Sequence, residues 1–438
     1  MTATLTGRPP ASHAARPGRP ARTTPATMRV LTVVLVLLSL AWGAFGGWAA
    51  SQHSSAAGTL ISVDEPLSLD ASQMYENIAD ADVTITTAYL ASSQPQLPPL
   101  QRYQTDIASA SADLAKLRAG SGDPSLDAAL AALAGGLPAY TGYVADAQSQ
   151  YSLGFPLTGG SFMQVASEQA HLVLLPAAKT VFTTENAALS AASSQATGLP
   201  TMAAALVLAI VIGFILYRAQ RWLTRRTNRL LSPGLVLASV LLVISVIWLA
   251  ASYASARSDL DRGIAQGSGP AASLAQASIG VQQIRGDAVL NLISRSGNAS
   301  FHDDFVKTSK QVGPGSGSLL SSAATGNGQA GALMAAAGGE ANSWYAANAE
   351  VYSLGTESNY AGERNNVIGT GPGSSAAGYT ALENDITGAI ADDQESFKSA
   401  ATAGANALDP LEPVVIAVAL LMALACVWGL NRRLAEYR

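Results

Sequence analysis

The run VLTVVLVLLSLAWGAFGGWAA, residues 30–50, contains no Asp, Glu, Lys, Arg or His, and it follows a tail that carries Arg8, Arg16, Arg19, Arg22 and Arg29 with no acid. A helix needs about 20 apolar residues to cross the hydrocarbon core of a bilayer, so this stretch reads as a membrane span. Three further runs have the same character: Met202–Tyr217, Leu235–Ala251 and Val414–Leu430. Trp42, Trp48, Tyr217, Trp222, Trp248 and Trp428 stand toward their ends, where an amphipathic ring favours the headgroup layer.

Charge orients the spans. The link after the second carries Arg218, Arg221, Arg225, Arg226 and Arg229 without an acid, and Arg432, Arg433 and Arg438 follow the fourth. Thirteen of the 25 basic residues therefore lie in three short segments, while the two long loops hold all but one of the 30 acids. Positive charge is retained on the cytoplasmic side. The expected layout is a cytoplasmic tail (1–29), a first span (30–50), an extracytoplasmic helical bundle (51–199) and a second span (200–217). An arginine-rich cytoplasmic link (218–233), a third span (234–252), a second extracytoplasmic bundle (253–412), a fourth span (413–430) and a cytoplasmic tail (431–438) complete it. The basic tail, apolar run and Ala49-Ala50 also spell a secretory signal peptide. The length of the run and the close-packing pattern Gly43-x-x-x-Gly47 favour a retained span.

The loops read as helices. Met74, Ile78, Ala81, Ile85 and Tyr89 recur at spacings of three and four. The same holds for Leu100 to Leu117 and for Leu126 to Val144. Breaks fall at Pro95–Pro99, Gly120–Pro124 and Gly154–Gly160, and a fourth helix is expected from Ser161 to Thr197, bent or interrupted by Pro176. The second loop has a first helix through Val281, Ile284, Ala288 and Leu292 and a last one through Leu382, Ile386, Ile390, Phe397 and Ala401, with glycine-rich turns at Gly313–Gly317, Gly326–Gly331 and Gly369–Gly373. Neither loop has a sustained period-two alternation, so the fold class is all-α: four membrane helices with two helical bundles outside. The halves look like a coarse repeat, with Trp48-Ala49-Ala50-Ser51 echoed by Trp248-Leu249-Ala250-Ala251-Ser252, and Pro200 and Pro413 at the entrances of the second and fourth spans as candidate hinges.

The residue types exclude much chemistry. Cys426 is the only cysteine, which rules out an internal disulfide and a cysteine-based metal site. Gly326-x-Gly328-x-x-Gly331 spells a dinucleotide fingerprint, but no strand precedes it, so it reads as a turn. His302-Asp303-Asp304 lacks further ligands at metal spacing and reads as a solvated helix start. Asn298-Ala299-Ser300 spells a glycosylation acceptor. No catalytic residue, metal site, cofactor or nucleic-acid surface is expected, and the spans hold no ionisable group of the kind that marks an ion pathway.

Two sets of candidates remain. Arg285, Asp287 and Arg295, on the first helix of the second loop, offer charges for the carboxylate or amine of a small ligand between helices, with ordinary rim charges as the plainer reading. Arg221, Arg225 and Arg226 fix topology and touch anionic lipid, and they also offer a docking surface to a cytoplasmic partner.

Helical loops anchored at both ends resemble the four-helix-bundle sensor domains of bacterial chemoreceptors and histidine kinases. Gly154-Phe155-Pro156-Leu157, Ala166-Ser167, Leu174-Leu175-Pro176-Ala177-Ala178, Arg285-Gly286-Asp287-Ala288-Val289-Leu290-Asn291-Leu292 and the ending Gly429-Leu430-Asn431-Arg432-Arg433-Leu434-Ala435-Glu436-Tyr437-Arg438 go further. With the four-span layout they make the chain resemble the actinobacterial GlnX-type membrane proteins. Arginine outnumbers lysine 20 to 5, in keeping with a high-GC source. The resemblance implies a relay of amino-acid availability between an extracellular solute-binding lipoprotein, GlnH, and a cytoplasmic Ser/Thr kinase, PknG. It places no ligand residue. The expected function is thus a non-enzymatic transmembrane signalling relay in the plasma membrane, the alternatives being an envelope scaffold or a direct small-ligand sensor.

The topology is testable in intact cells. Ser121→Cys and Ser321→Cys should react with a membrane-impermeant thiol reagent and Thr227→Cys should not; labelling at 227 would reverse the orientation.

Overall fold

A computed structural model describes residues 24–92, 97–196, 198–227, 232–294, 299–313, 318–323, 329–356, 359–369 and 371–435. Among them every regular element is helical and there is no strand. Most of the amino-terminal arginine tail, Arg229, Arg295, Asn298, Arg438, most of the turn at 313–317 and half of that at 326–331 lie outside these residues.

The helices fall into two compact units, 1–49 with 199–250 and 411–438, and 50–198 with 251–410. The first holds the four apolar segments, in α1 (Thr24–Thr59), α7 (Leu199–Thr227), α8 (Pro233–Gly263) and α15 (Leu411–Ala435); α1 and α8 also supply residues to the second unit. Each apolar helix buries one narrow seam. Met28, Leu35, Ser39, Trp42 and Ala49 do so on α1, Ala205, Ala209, Ile212, Leu216, Ala219 and Leu223 on α7, and Leu235, Ala238, Leu242, Ser245 and Leu249 on α8. On α15 the seam is Val415, Ala419, Met422 and Cys426. Alternating steps of three and four are the spacing of knobs-into-holes packing with a left-handed crossing.

The opposite faces are exposed and strongly apolar: Val33 and Leu37 on α1, Val207, Ile210 and Phe214 on α7, Val243 and Ile247 on α8, Leu420 and Leu424 on α15. Such surfaces suit lipid, not water. Small residues bring the helices together, as in membrane bundles. A Cβ on Gly43 would stand 2.6 Å from the Ala419 Cβ, and one on Gly429 2.8 Å from the Gly234 Cα. Polar pins add to this, with Trp42 Nε1 donating to Ser245 Oγ at 3.2 Å and Gln220 Nε2 donating to Ser239 Oγ at 3.1 Å.

By length and hydropathy a fifth stretch, Pro124–Ser152, also qualifies as a span, at a mean hydropathy of 1.2 against 2.0 to 2.6 for the other four. Its large apolar side chains, Leu130, Leu133, Leu137, Tyr140 and Val144, are buried in the protein core, and its outer face carries Ala128, Ala131, Gly135, Gly142 and Asp146. It is a bundle helix, without the exposed apolar surface that lipid requires.

The second unit contains α2 (Glu65–Ala91), α3 (Leu97–Gly120), α4 (Asp127–Ser152), α5 (Pro156–Gln169) and α6 (Leu175–Ala196) from the first loop. From the second come α9 (Gly269–Ser294), α10 (Ala299–Val312), α11 (Leu319–Ala323), α12 (Gln329–Thr356), α13 (Tyr360–Ile368) and α14 (Ser375–Leu408). Instead of one self-contained bundle per loop, helices of both loops share a single core. It runs from Met74, Ile78 and Ile85 through Leu114, Leu133 and Phe182 to Leu274, Ile284, Trp344, Leu382 and Ile386. The join is α2 against α9. Alanine and glycine let these two helices approach others on several sides, so α9 is buried nearly all round from Ala277 to Leu292.

Among the described residues three π turns interrupt the loop unit, at Leu60–Asp64, Ala170–Leu174 and Ile264–Ser268. Each ends two residues before a proline: Pro66, Pro176 and Pro270. A proline ring clashes with the carbonyl four residues back, and a widened turn relieves that clash while the chain stays helical. Pro176 was expected to bend or interrupt its helix, and this is the form the interruption takes. The preceding helix starts at Pro156 instead of Ser161, because Gly159 and Gly160 are used for close packing on Tyr151 and not as a break. Pro200 and Pro413 lie in the first turns of α7 and α15, where a missing N–H costs nothing.

Leu133→Asp places a charge in the shared core and should lower the stability of the loop unit by on the order of 5 kcal/mol. Ala131→Asp, on the exposed face of the same helix, should change it by less than about 0.5 kcal/mol. Thermal unfolding of the full chain in lipid nanodiscs, followed by circular dichroism, separates the two.

Candidate functional site

Three helices of the loop unit carry charged or polar residues four apart, hence on one face of each: Glu76 and Asp80 on α2, Arg102 and Asp106 on α3, Tyr379 and Glu383 on α14. The fold brings these faces together and adds Arg285 from α9. Arg102 is the visible link. Its Nε donates to Asp80 Oδ2 at 2.6 Å and its Nη2 to Asp80 Oδ1 at 2.9 Å, a two-pronged pair, and Nη2 reaches Glu383 Oε1 of the other loop at 3.3 Å. The Arg102 side chain is 53% exposed, whereas those of Asp80 and Glu383 are 12% and 16% exposed. The cation thus caps buried acids from the solvent side.

Arg285 is enclosed. It is 7% exposed, its guanidinium lies over the Tyr379 ring at 4.6 Å from the centroid, and its Nη1 has no hydrogen-bond partner. Burial pulls its pKa down, against the pull of the Tyr379 hydroxyl and the Glu383 and Asp80 carboxylates. Among the described residues, the cluster gathers four carboxylates, Glu76, Asp80, Asp106 and Glu383, around these two guanidinium groups.

The acids respond to that imbalance. Burial, then repulsion from Glu383 and Asp80, pushes the Glu76 carboxyl up to about 7. Burial, Asp80 and a proton-sharing contact with Asp80 push Asp106 to about 7 against the opposing influence of Arg102. Glu383 is raised by burial and Asp80, and eased down by Arg102. For Arg102 burial lowers the pKa, but Asp80 and Glu383 more than reverse it. Next to this cluster Asp82 accepts a hydrogen bond from Ser167 Oγ and stands 3.5 Å from His171 Nε2.

Of the residues singled out in the sequence, Arg285 belongs to this cluster. Asp287 is 4% exposed, but a spacing of two turns it to another face of α9. Neither is a rim charge, because α9 has neighbours on nearly every side. Arg295 lies outside the described residues. Arg221 and Arg225 are exposed near the end of α7, with Arg221 Nη1 donating to Tyr217 Oη at 3.3 Å; Arg226 is on the same helix. Glu76, Asp80, Arg102, Asp106 and Glu383 were not read from the sequence. The signal available was the like-charged pair Glu76 and Asp80 at a spacing of four, unfavourable on a solvated helix.

A cavity of about 130 Å³ lies elsewhere in the same unit, lined by Asn186, Leu189 and Ser190 of the first loop and by Ser268, Ala272 and Phe397 of the second.

Residues 56–194 match the model of a family described as an actinobacterial sensor domain. The matched stretch supports a sensor-type actinobacterial protein and contains the α2 and α3 members of the cluster; Arg285, Tyr379 and Glu383 lie beyond it. No curated protein and no solved structure matches the chain.

Arg102→Met should expose the mutual repulsion of Asp80 and Glu383 and destabilise the loop unit by about 1–3 kcal/mol, less than for a fully buried pair because Arg102 is half exposed. Asp80→Asn added to Arg102→Met should recover part of the loss. Chemical denaturation of the four proteins of this double-mutant cycle measures the coupling.

Proposed function

We propose that the chain is a multi-pass membrane sensor without enzymatic activity, which relays extracellular amino-acid availability to a cytoplasmic Ser/Thr kinase, with a solute-binding protein as its extracellular partner. The observation that carries the sensing role is the match of residues 56–194 to a sensor domain in a chain with four lipid-suited helices. The amino acid, the solute-binding protein and the kinase are supported by the resemblance of the whole chain to GlnX-type proteins. In this reading both loops face outward and both termini and the Arg218–Arg229 link face the cytoplasm, as the arginine distribution implies.

A relay without a catalytic domain needs an inner docking surface. Arg221, Arg225 and Arg226 supply planar guanidinium groups suited to acidic side chains or phosphate. The cavity between the loops supports a second reading, direct binding of a small ligand in the loop unit.

Changing Arg221, Arg225 and Arg226 together to Gln should abolish amino-acid-dependent phosphorylation of cytoplasmic proteins, once impermeant labelling has shown the topology intact. The Lys triple variant keeps the charge and loses the two-pronged geometry, so it should give a weakened response. A full response from the correctly inserted Gln variant would reduce these arginines to topology signals and defeat the relay as drawn.

A further inference from the structure

The ionic cluster poses a problem of charge that its own residues do not solve. Glu76 and Asp80 project from α2, Asp106 from α3 and Glu383 from α14, while the cations facing them are Arg102 on α3 and Arg285 on α9. Asp80 and Asp106 are each 9% exposed. Burying four ionised carboxylates with two guanidinium groups leaves two uncompensated negative charges in a site largely closed to water. Groups in that position take up protons instead.

The orphaned atoms point the same way. Asp106 Oδ2 and Glu76 Oε1 are both buried with no hydrogen-bond donor. Asp106 lies against Asp80, and two carboxylates in contact make a hydrogen bond only if one carries a proton. Asp82 on α2 stands beside the cluster, 3.5 Å from His171 Nε2, and tyrosines that do not titrate near neutrality line the rest. Tyr103 on α3 and Tyr379 on α14 are held in their neutral form by burial, as is Tyr140 on α4.

We propose that this cluster is a proton-binding site, taking two protons, one at Glu76 and one at Asp106 where it lies against Asp80, and that the loop unit thereby senses the pH of the compartment its loops face. Because α2 and α3 belong to the first loop and α9 and α14 to the second, the protons are bound where the two loops are joined. Protonation removes the repulsion between Glu76 of one loop and Glu383 of the other and tightens the join. Ionisation restores the repulsion and loosens it. The proposal rests on the sensing reading for its physiological meaning, but proton binding is measured without any signalling output, so either fails alone.

The sign follows from linkage. Glu76 and Asp106 have folded-state values near 7, above their ordinary values of 4.5 and 3.8. Between those limits the folded unit holds protons that the unfolded chain has lost. The stabilisation is therefore fully present below the ordinary values and disappears as the pH rises through about 7.

The test is infrared difference spectroscopy of the full chain in lipid nanodiscs, between about pH 5.5 and about pH 8.5, conditions that bracket the expected titration. The wild type should show the carbonyl band of buried protonated carboxyl groups, vanishing with a midpoint near 7. Glu76→Gln should remove one component and Asp106→Asn the other, since each amide mimics the neutral acid. Thermal unfolding of the wild type should fall by on the order of 5–10 °C from the acid to the alkaline condition, and the double variant should lose most of that slope. A wild-type spectrum with no titrating carboxyl band overturns the proposal by itself. So does a component with its midpoint near 7 that persists undiminished in the double variant.

Discussion

The packing of α2 against α9 is the contact on which the loop unit depends. These helices come from different loops, separated in the chain by two of the apolar segments, and each is enclosed on several sides. A helix in that position needs a small, apolar surface nearly all round, and the alanine and glycine content of both provides it. At Gly280 the close approach is extreme: a Cβ there would run into Val312 of α10. With α2 and α9 fixed at the centre, α3 and α14 have few places to go, and their polar faces meet beside α2.

Enclosure also explains why charge inside this core is costly and ordered. An acid on a solvated helix keeps its proton equilibrium near the ordinary value, whereas Glu76 is shifted by burial and by neighbouring carboxylates, and Asp106 is eased by an Arg102 that is itself half exposed. The aromatic side chains around them, Tyr379 above all, add low-polarity surface and one cation–π contact. A polar network of this kind is sensitive to the number of protons it holds, because charge in a buried, low-polarity site is weakly screened.

The apolar helices obey a different rule. Lipid offers no hydrophobic drive for helix association, so contact there depends on shape. Gly43 and Gly46 admit Ala419 and Val415, and Gly234 and Gly429 admit each other's backbone. Where the helices meet, Trp42 and Gln220 spend their polar atoms on serines of α8.

What the sequence determined by itself was local in character. Residues 30–50 announce a span because a bilayer imposes a length that one segment must satisfy alone, and Gly43-x-x-x-Gly47 already marked the face that α15 covers. Steps of three and four through Met74–Tyr89 or Leu126–Val144 define helices without reference to any partner. Tertiary structure alone decided which stripes pair, since the alanine-rich faces of the two loops are too alike for their residue types to name a partner. It therefore decided that the loops share one core, and that Pro66, Pro176 and Pro270 are accommodated by π turns. It also decided the fate of Arg285, whose position beside an apolar stripe fits a solvated rim as well as an interior. Only the presence of neighbours on every side of α9 takes the water away, and burial is a property of those neighbours and not of the residue.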